Sequence, residues 1–233
     1  MREDGRAILS SGESRGLRGV LSSYLCRRYT ILFYTLLLTL VSGPVLSAMK
    51  FTGTLLELFL AAGLFAAILP VTSVRSRPYL LGAMIIVWLA RPTTIWLKHP
   101  FFSQMTLGIW TLVGLLAAAA ALRFAMAATR VDTEHLYAAL SAYLLAGIYF
   151  GLFYWVLEQM SPNTFTSNGG FSQTSAIYFS FVTLATLGYG DIVPRGDIAR
   201  GIVIVEGVGG QLFLAVLVAR LVSLYSKTTD QTS

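Results

Sequence analysis

An all-α integral membrane protein is the fold class this sequence predicts, with six crossing helices and one shorter helix that enters the bilayer and turns back. Three observations lead there. Apolar residues fill 55% of the 233 positions and charged residues 12%, against about 25% charged in soluble domains. A mean hydropathy of +0.69 leaves too few ionic side chains to coat a globular surface. The apolar residues also fall in runs of about 20, the length a helix needs to cross hydrocarbon.

The first 28 residues hold six of the 17 Lys/Arg. This polar Gly/Ser/Arg-rich stretch is expected to be disordered. Spans follow at Thr30–Met49, Thr54–Val74, Tyr79–Leu97 and Met105–Ala128, then at His135–Leu157 and Ile198–Tyr225. The first run exceeds the roughly 7–15 apolar residues of a signal-peptide core and reads as a span. A single cysteine, Cys26, excludes a disulfide scaffold. The net charge of +6 does not point to nucleic acid, because the bases sit in the tail and between apolar runs. His99 and His135 stand at opposite surfaces without metal-ligand spacing. Neither a phosphate loop nor a nucleophile triad is present, so no enzyme activity is expected.

Cations set the orientation. With both termini inside, the inner side carries Arg2, Arg6, Arg15, Arg18, Arg27, Arg28, Arg75, Arg77, Arg123, Arg130, Arg220 and Lys227. Lys50, Arg91, Lys98, Arg195 and Arg200 fall outside or in the outer half. Cytoplasmic termini follow from that bias.

Between the last two spans lies a shorter apolar stretch, Thr174–Ala185. Twelve helical residues rise only about 18 Å, too little for a core of about 30 Å. Its non-helical exit must be buried in protein or line a water-filled path. That exit is Thr186-Leu187-Gly188-Tyr189-Gly190-Asp191. Glycines at 188 and 190 suit a backbone that alternates hand, since glycine takes left-handed values freely. Such a backbone aims successive carbonyls at one axis, where they replace the hydration shell of a cation. The Thr186 hydroxyl can add a ligand, and the short helix points its partly negative end at the same place.

The stretch Thr183-Leu184-Ala185-Thr186-Leu187-Gly188-Tyr189-Gly190-Asp191-Ile192-Val193-Pro194 resembles the selectivity filter of the tetrameric potassium channels, with Leu187 in place of the usual valine. The resemblance runs from His135 to Lys227 and implies outer helix, pore helix, filter and inner helix. It does not reach the first four spans. It implies K+ bound at Thr186, Leu187, Gly188 and Tyr189, with Gly190 completing the filter, and four copies of the chain around one axis, a ring that closes by heterologous contacts. It implies no cofactor, only K+ as the permeant ion. The division is then a tail over 1–29, a four-helix domain over 30–128, a pore domain over 129–226 and a short tail over 227–233. A weakly selective cation channel would usually replace Tyr189 or Gly190, both present here. A potassium transporter subunit would carry four filter segments, and this chain has one. A non-conducting scaffold or partner subunit is a further alternative.

Other residues follow from this frame. Asp191 is expected to form a ring of carboxylates at the outer mouth. Glu158 resembles the acidic residue that ties the outer helix to the pore mouth. Glu206 is expected behind the filter near Thr183 or Tyr178, in a hydrogen-bonded role rather than as an ion ligand. Gly210 is either a hinge or a close-packing point. From it, i+4 spacing gives Leu214, Val218 and Val222, candidates for a hydrophobic gate. Glu57 and Arg91 fall at similar depths and suggest an ion pair. The fourth span holds only Arg123, so no arginine-rich voltage sensor is expected. The opening stimulus is left open among lipid, tension, pH, a separate ligand or subunit, and no stimulus at all. Compactness and the arginine-rich tail point to a prokaryotic plasma membrane.

Overall fold

The computed structural model describes residues 27–48, 82, 100–127, 133–167 and 169–230. The expected spans Thr54–Val74 and Tyr79–Leu97, the pair Glu57 and Arg91, Cys26, His99 and most of the N-terminal tail lie outside the described residues. Five helices and a small sheet are described. They are α1 (Arg28–Ala48), α2 (Pro100–Met126), α3 (Thr133–Met160), β1 (Phe165–Ser167), α4 (Gln173–Leu184), β2 (Ile192–Pro194) and α5 (Asp197–Asp230). Three of the described helices are long and apolar enough to cross a membrane, at Gln104–Met126, Thr133–Met160 and Asp197–Ser223.

The helix ends explain how these elements are ordered. Glu134, in the first turn of α3, accepts from the backbone N–H of Tyr29 at 3.0 Å and from Thr30 Oγ1 at 2.7 Å. It thereby satisfies a donor at the start of α1 that has no partner within its own helix, and its charge suits that end of the dipole. The starts of α1 and α3 therefore sit together. Arg220, far along α5, donates to the carbonyl of Met126 at the end of α2. These contacts collect the start of α1, the end of α2, the start of α3 and the distal part of α5 at one end of the bundle.

One core joins α1, α2 and α3 through Leu32, Leu36, Trp110, Leu145, Ile148, Tyr149 and Leu152. In it the run Ala117–Ala121 is more than an uncharged stretch. Ala117, Ala118 and Ala121 are buried, and small side chains let membrane helices approach closely. A second core is aromatic. Tyr154, Phe165 and Phe179 meet edge to face with centroids 5.4–5.5 Å apart, and Phe171 stacks on Phe165 at 4.6 Å. This cluster fastens β1 and α4 to α3. Where α4 crosses α3, Gly151 comes so close that a Cβ there would stand 2.5 Å from the Ile177 Cα.

Substituting Gly151→Ala forces backbones rather than side-chain tips apart. It is expected to cost about 1–3 kcal/mol, the usual range for overpacking, read as a lower melting temperature of the detergent-solubilised protein.

Candidate functional site

The short helix α4 opens with a reciprocal cap. Ser172 Oγ accepts from the Ser175 N–H at 3.1 Å, and the Ser172 N–H donates to Ser175 Oγ at 2.7 Å, so two end donors are satisfied at once. Its other end closes in a Schellman motif: the Leu187 N–H donates to the Val182 carbonyl at 2.9 Å and the Thr186 N–H to the Thr183 carbonyl at 3.0 Å. That motif requires a left-handed residue just past the cap, ordinarily glycine. Here it is Thr186, at φ 55°. A β-branched residue in that region costs on the order of 1–2 kcal/mol. Its hydroxyl donates to the Ala185 carbonyl at 2.7 Å, which fixes the side chain and leaves the oxygen's lone pairs free to accept.

Beyond it Gly188 and Gly190 stand at φ 57° and 77°. Left-handed residues therefore recur at 186, 188 and 190. The sequence points to the two glycines but not to Thr186, because a β-branched residue is a poor candidate for that conformation. Residues 185 to 191 are all exposed in the single chain, including Leu187 and Tyr189.

The far end of this segment is anchored twice. Tyr178 on α4 stands within electrostatic reach of Asp191, and two contacts hold the chain just past it. Ile192–Pro194 then pairs antiparallel with Phe165–Ser167, with Ser167 opposite Ile192. The second anchor is Glu158, whose carboxylate accepts from the Asn163 N–H and the Phe165 N–H, both at 2.9 Å. Glu158 thus sets the turn that delivers β1 to β2.

Glu206 is 1% exposed. It meets Tyr154 Oη at 2.5 Å and Ser180 Oγ, rather than the expected Thr183 or Tyr178. The difference is one of helix register: the face of α5 that opposes α4 pairs Glu206 with Ser180 and Gly207 with Thr183, whose methyl lies 3.7 Å from a Cβ built at 207. Thr183 Oγ1 is occupied by the Phe179 carbonyl at 2.9 Å. Gly210 packs on Leu184, where a Cβ would come within 2.7 Å of Leu184 Cδ2, and α5 runs through it unbroken. Leu214, Val218 and Val222 are exposed along α5. The sequence offers no sign of Tyr154 and Ser180, which are ordinary residues in apolar helices until Glu206 is placed between them.

Residues 140–227 match the family described as Ion channel. The likeness is to a channel. The inward rectifier potassium channel Kirbac3.1 of Paramagnetospirillum magnetotacticum is 33% identical over 91 residues, which are 37% of this chain and 28% of that protein. The chain thus spans little more than a quarter of the relative's length. No solved structure matches the chain. Together with the apolar helices, these matches support a membrane-embedded ion channel, and the protein is not an enzyme.

Replacing Glu158 by Ala strips two backbone donors of their acceptor. The Asn163 donor is exposed and the Phe165 donor part-buried, so the loss is that of ordinary hydrogen bonds, about 0.5–1.5 kcal/mol each. We expect a lower melting temperature and faster proteolysis within residues 159–171, read by mass spectrometry of the fragments.

Proposed function

We propose that the protein is a potassium-selective channel, a homotetramer in which four copies of Thr186–Gly190 surround one axis and pass K+ passively down its electrochemical gradient. The observation that carries this reading is the left-handed backbone recurring at 186, 188 and 190, at the exit of a helix too short to cross a bilayer. Alternating hand turns successive carbonyls toward one axis, where they stand in for water around a dehydrated cation. Thr186, Leu187, Gly188 and Tyr189 hold the ion, Gly190 completes the filter, and four Asp191 carboxylates concentrate cations at the mouth. The printed function of the Paramagnetospirillum relative, a potassium channel, supports K+ as the ion.

One chain supplies one such segment, and a closed cage needs several. Helix α5 supports further copies: of its residues whose burial is described only Ala199, Glu206 and Gly210 are buried, while Ile204, Val205, Val208, Leu212 and Val216 lie bare. In the tetramer Leu214, Val218 and Val222 face the cavity below the filter and close it by dewetting, with Gly210 as the contact point against the pore helix. Arg123 is the one charge in the fourth span, so the channel responds little to voltage. It is a multi-pass protein of a prokaryotic plasma membrane with both termini cytoplasmic.

Bilayer recording with K+ on one side and Na+ on the other tests the reading. The reversal potential is expected near the K+ equilibrium value, and a value near zero overturns K+ selectivity. Alanine at Gly188 or Gly190 must hold a left-handed φ at about 1–2 kcal/mol each, and either substitution is expected to abolish discrimination against Na+. Aspartate at Val218 or Val222 hydrates the lower cavity and is expected to raise open probability. Unchanged currents remove the gate from these positions.

A further inference from the structure

Resting on the channel reading above, we infer that Glu206 is a positioning residue for the selectivity filter, acting as a clamp through which the inner helix sets the filter's conducting shape. Three helices converge on this one carboxylate: α5 supplies it, α3 supplies Tyr154 and α4 supplies Ser180. Each hydroxyl engages a different carboxylate oxygen, so neither helix can shift without breaking a buried hydrogen bond.

Both partners lead to the filter, by different routes. Ser180 belongs to the helix whose closing turn ends in Thr186, the first filter residue, six positions along. Tyr154 is the hub of the aromatic cluster with Phe165 and Phe179. Phe165 lies in β1, which pairs with β2 just after Asp191. The clamp therefore reaches the inner end of the filter through α4 and the outer end through α3 and the strand pair.

The contact face below the clamp makes α5 and the end of α4 one mechanical body. Gly207 lies against Thr183, Gly210 against Leu184, and Gln211 Nε2 donates to the Leu184 carbonyl at 3.4 Å. Displacement of α5 is passed to Leu184 two residues before the filter begins. Tyr143 of α3 stacks on Phe213 of α5 with centroids 5.8 Å apart, and Glu206 adds a directional link to that apolar one, because packing tolerates sliding whereas paired hydrogen bonds fix position.

The test measures the K+/Na+ permeability ratio of the full chain in liposomes, with size-exclusion chromatography confirming wild-type assembly. Y154F and S180A are each expected to lower the ratio about tenfold, on the scale of one lost buried hydrogen bond. E206L is expected to lower it further. E206Q, whose amide still meets both hydroxyls, is expected to keep most of it. In an E206L background Y154F and S180A are expected to cause no further loss, since the partner they address is gone. Additive losses there reveal side chains that merely fill space and overturn the clamp, as does a wild-type ratio in Y154F and S180A. Should E206L fail to assemble, the double variant Y154F/S180A decides: a ratio equal to wild type overturns the inference. Wild-type protein that carries no K+ defeats the channel reading instead. The clamp is then judged by hydrogen exchange at residues 186–191, which must quicken in S180A and Y154F, and unchanged exchange overturns it.

Discussion

Everything at the centre of this protein depends on what happens to backbone polar groups where the short apolar helix α4 stops. An unpaired peptide group shut away from water costs several kcal/mol. The end of α4 answers in two stages. The carbonyls of Val182 and Thr183 are taken by the turn at Leu187 and Thr186, and that of Ala185 by the Thr186 hydroxyl. The chain beyond then runs without helical partners through residues 187 to 190, and its exposed carbonyls need another source of positive charge. In the proposed channel a cation meets that requirement.

The anchors around the loop follow from the same constraint. A segment with so little hydrogen bonding of its own keeps its shape only if its ends are held. The near end is held by the cap that closes α4, and the far end by the short strand pair that Glu158 sets up. The strain at Thr186 is tolerable because the turn around it is fully bonded. Strained backbone persists where the surroundings over-determine it.

The order of elements was largely legible from the sequence because hydrocarbon imposes a length on each one. The expected His135–Leu157 and Ile198–Tyr225 lie within α3 and α5, and the expected Thr174–Ala185 lies within a residue of α4 at each end. Apolar length does not encode pairing across helices. Tyr154 and Ser180 carry no periodic signal, and their importance arises only when α5 brings a carboxylate between them. Gly151 likewise looks like an ordinary small residue until the crossing of α3 and α4 reveals the backbone it admits. Thr186 was hidden for the opposite reason: local preference argues against its conformation, and tertiary context overrides it.

The bond from Arg220 to the Met126 carbonyl carries a consequence for the helices outside the family match. A guanidinium at a helix C-terminus meets the negative end of the dipole, and a charged hydrogen bond is worth about 1.5–3 kcal/mol. Nearly three turns of α5 separate Arg220 from Gly210, so this bond sits well along the helix from the contact of Gly210 with Leu184. Splaying the lower end of α5 away from α2 must first unfasten it, which makes the amino-terminal bundle a restraining strut rather than passive ballast.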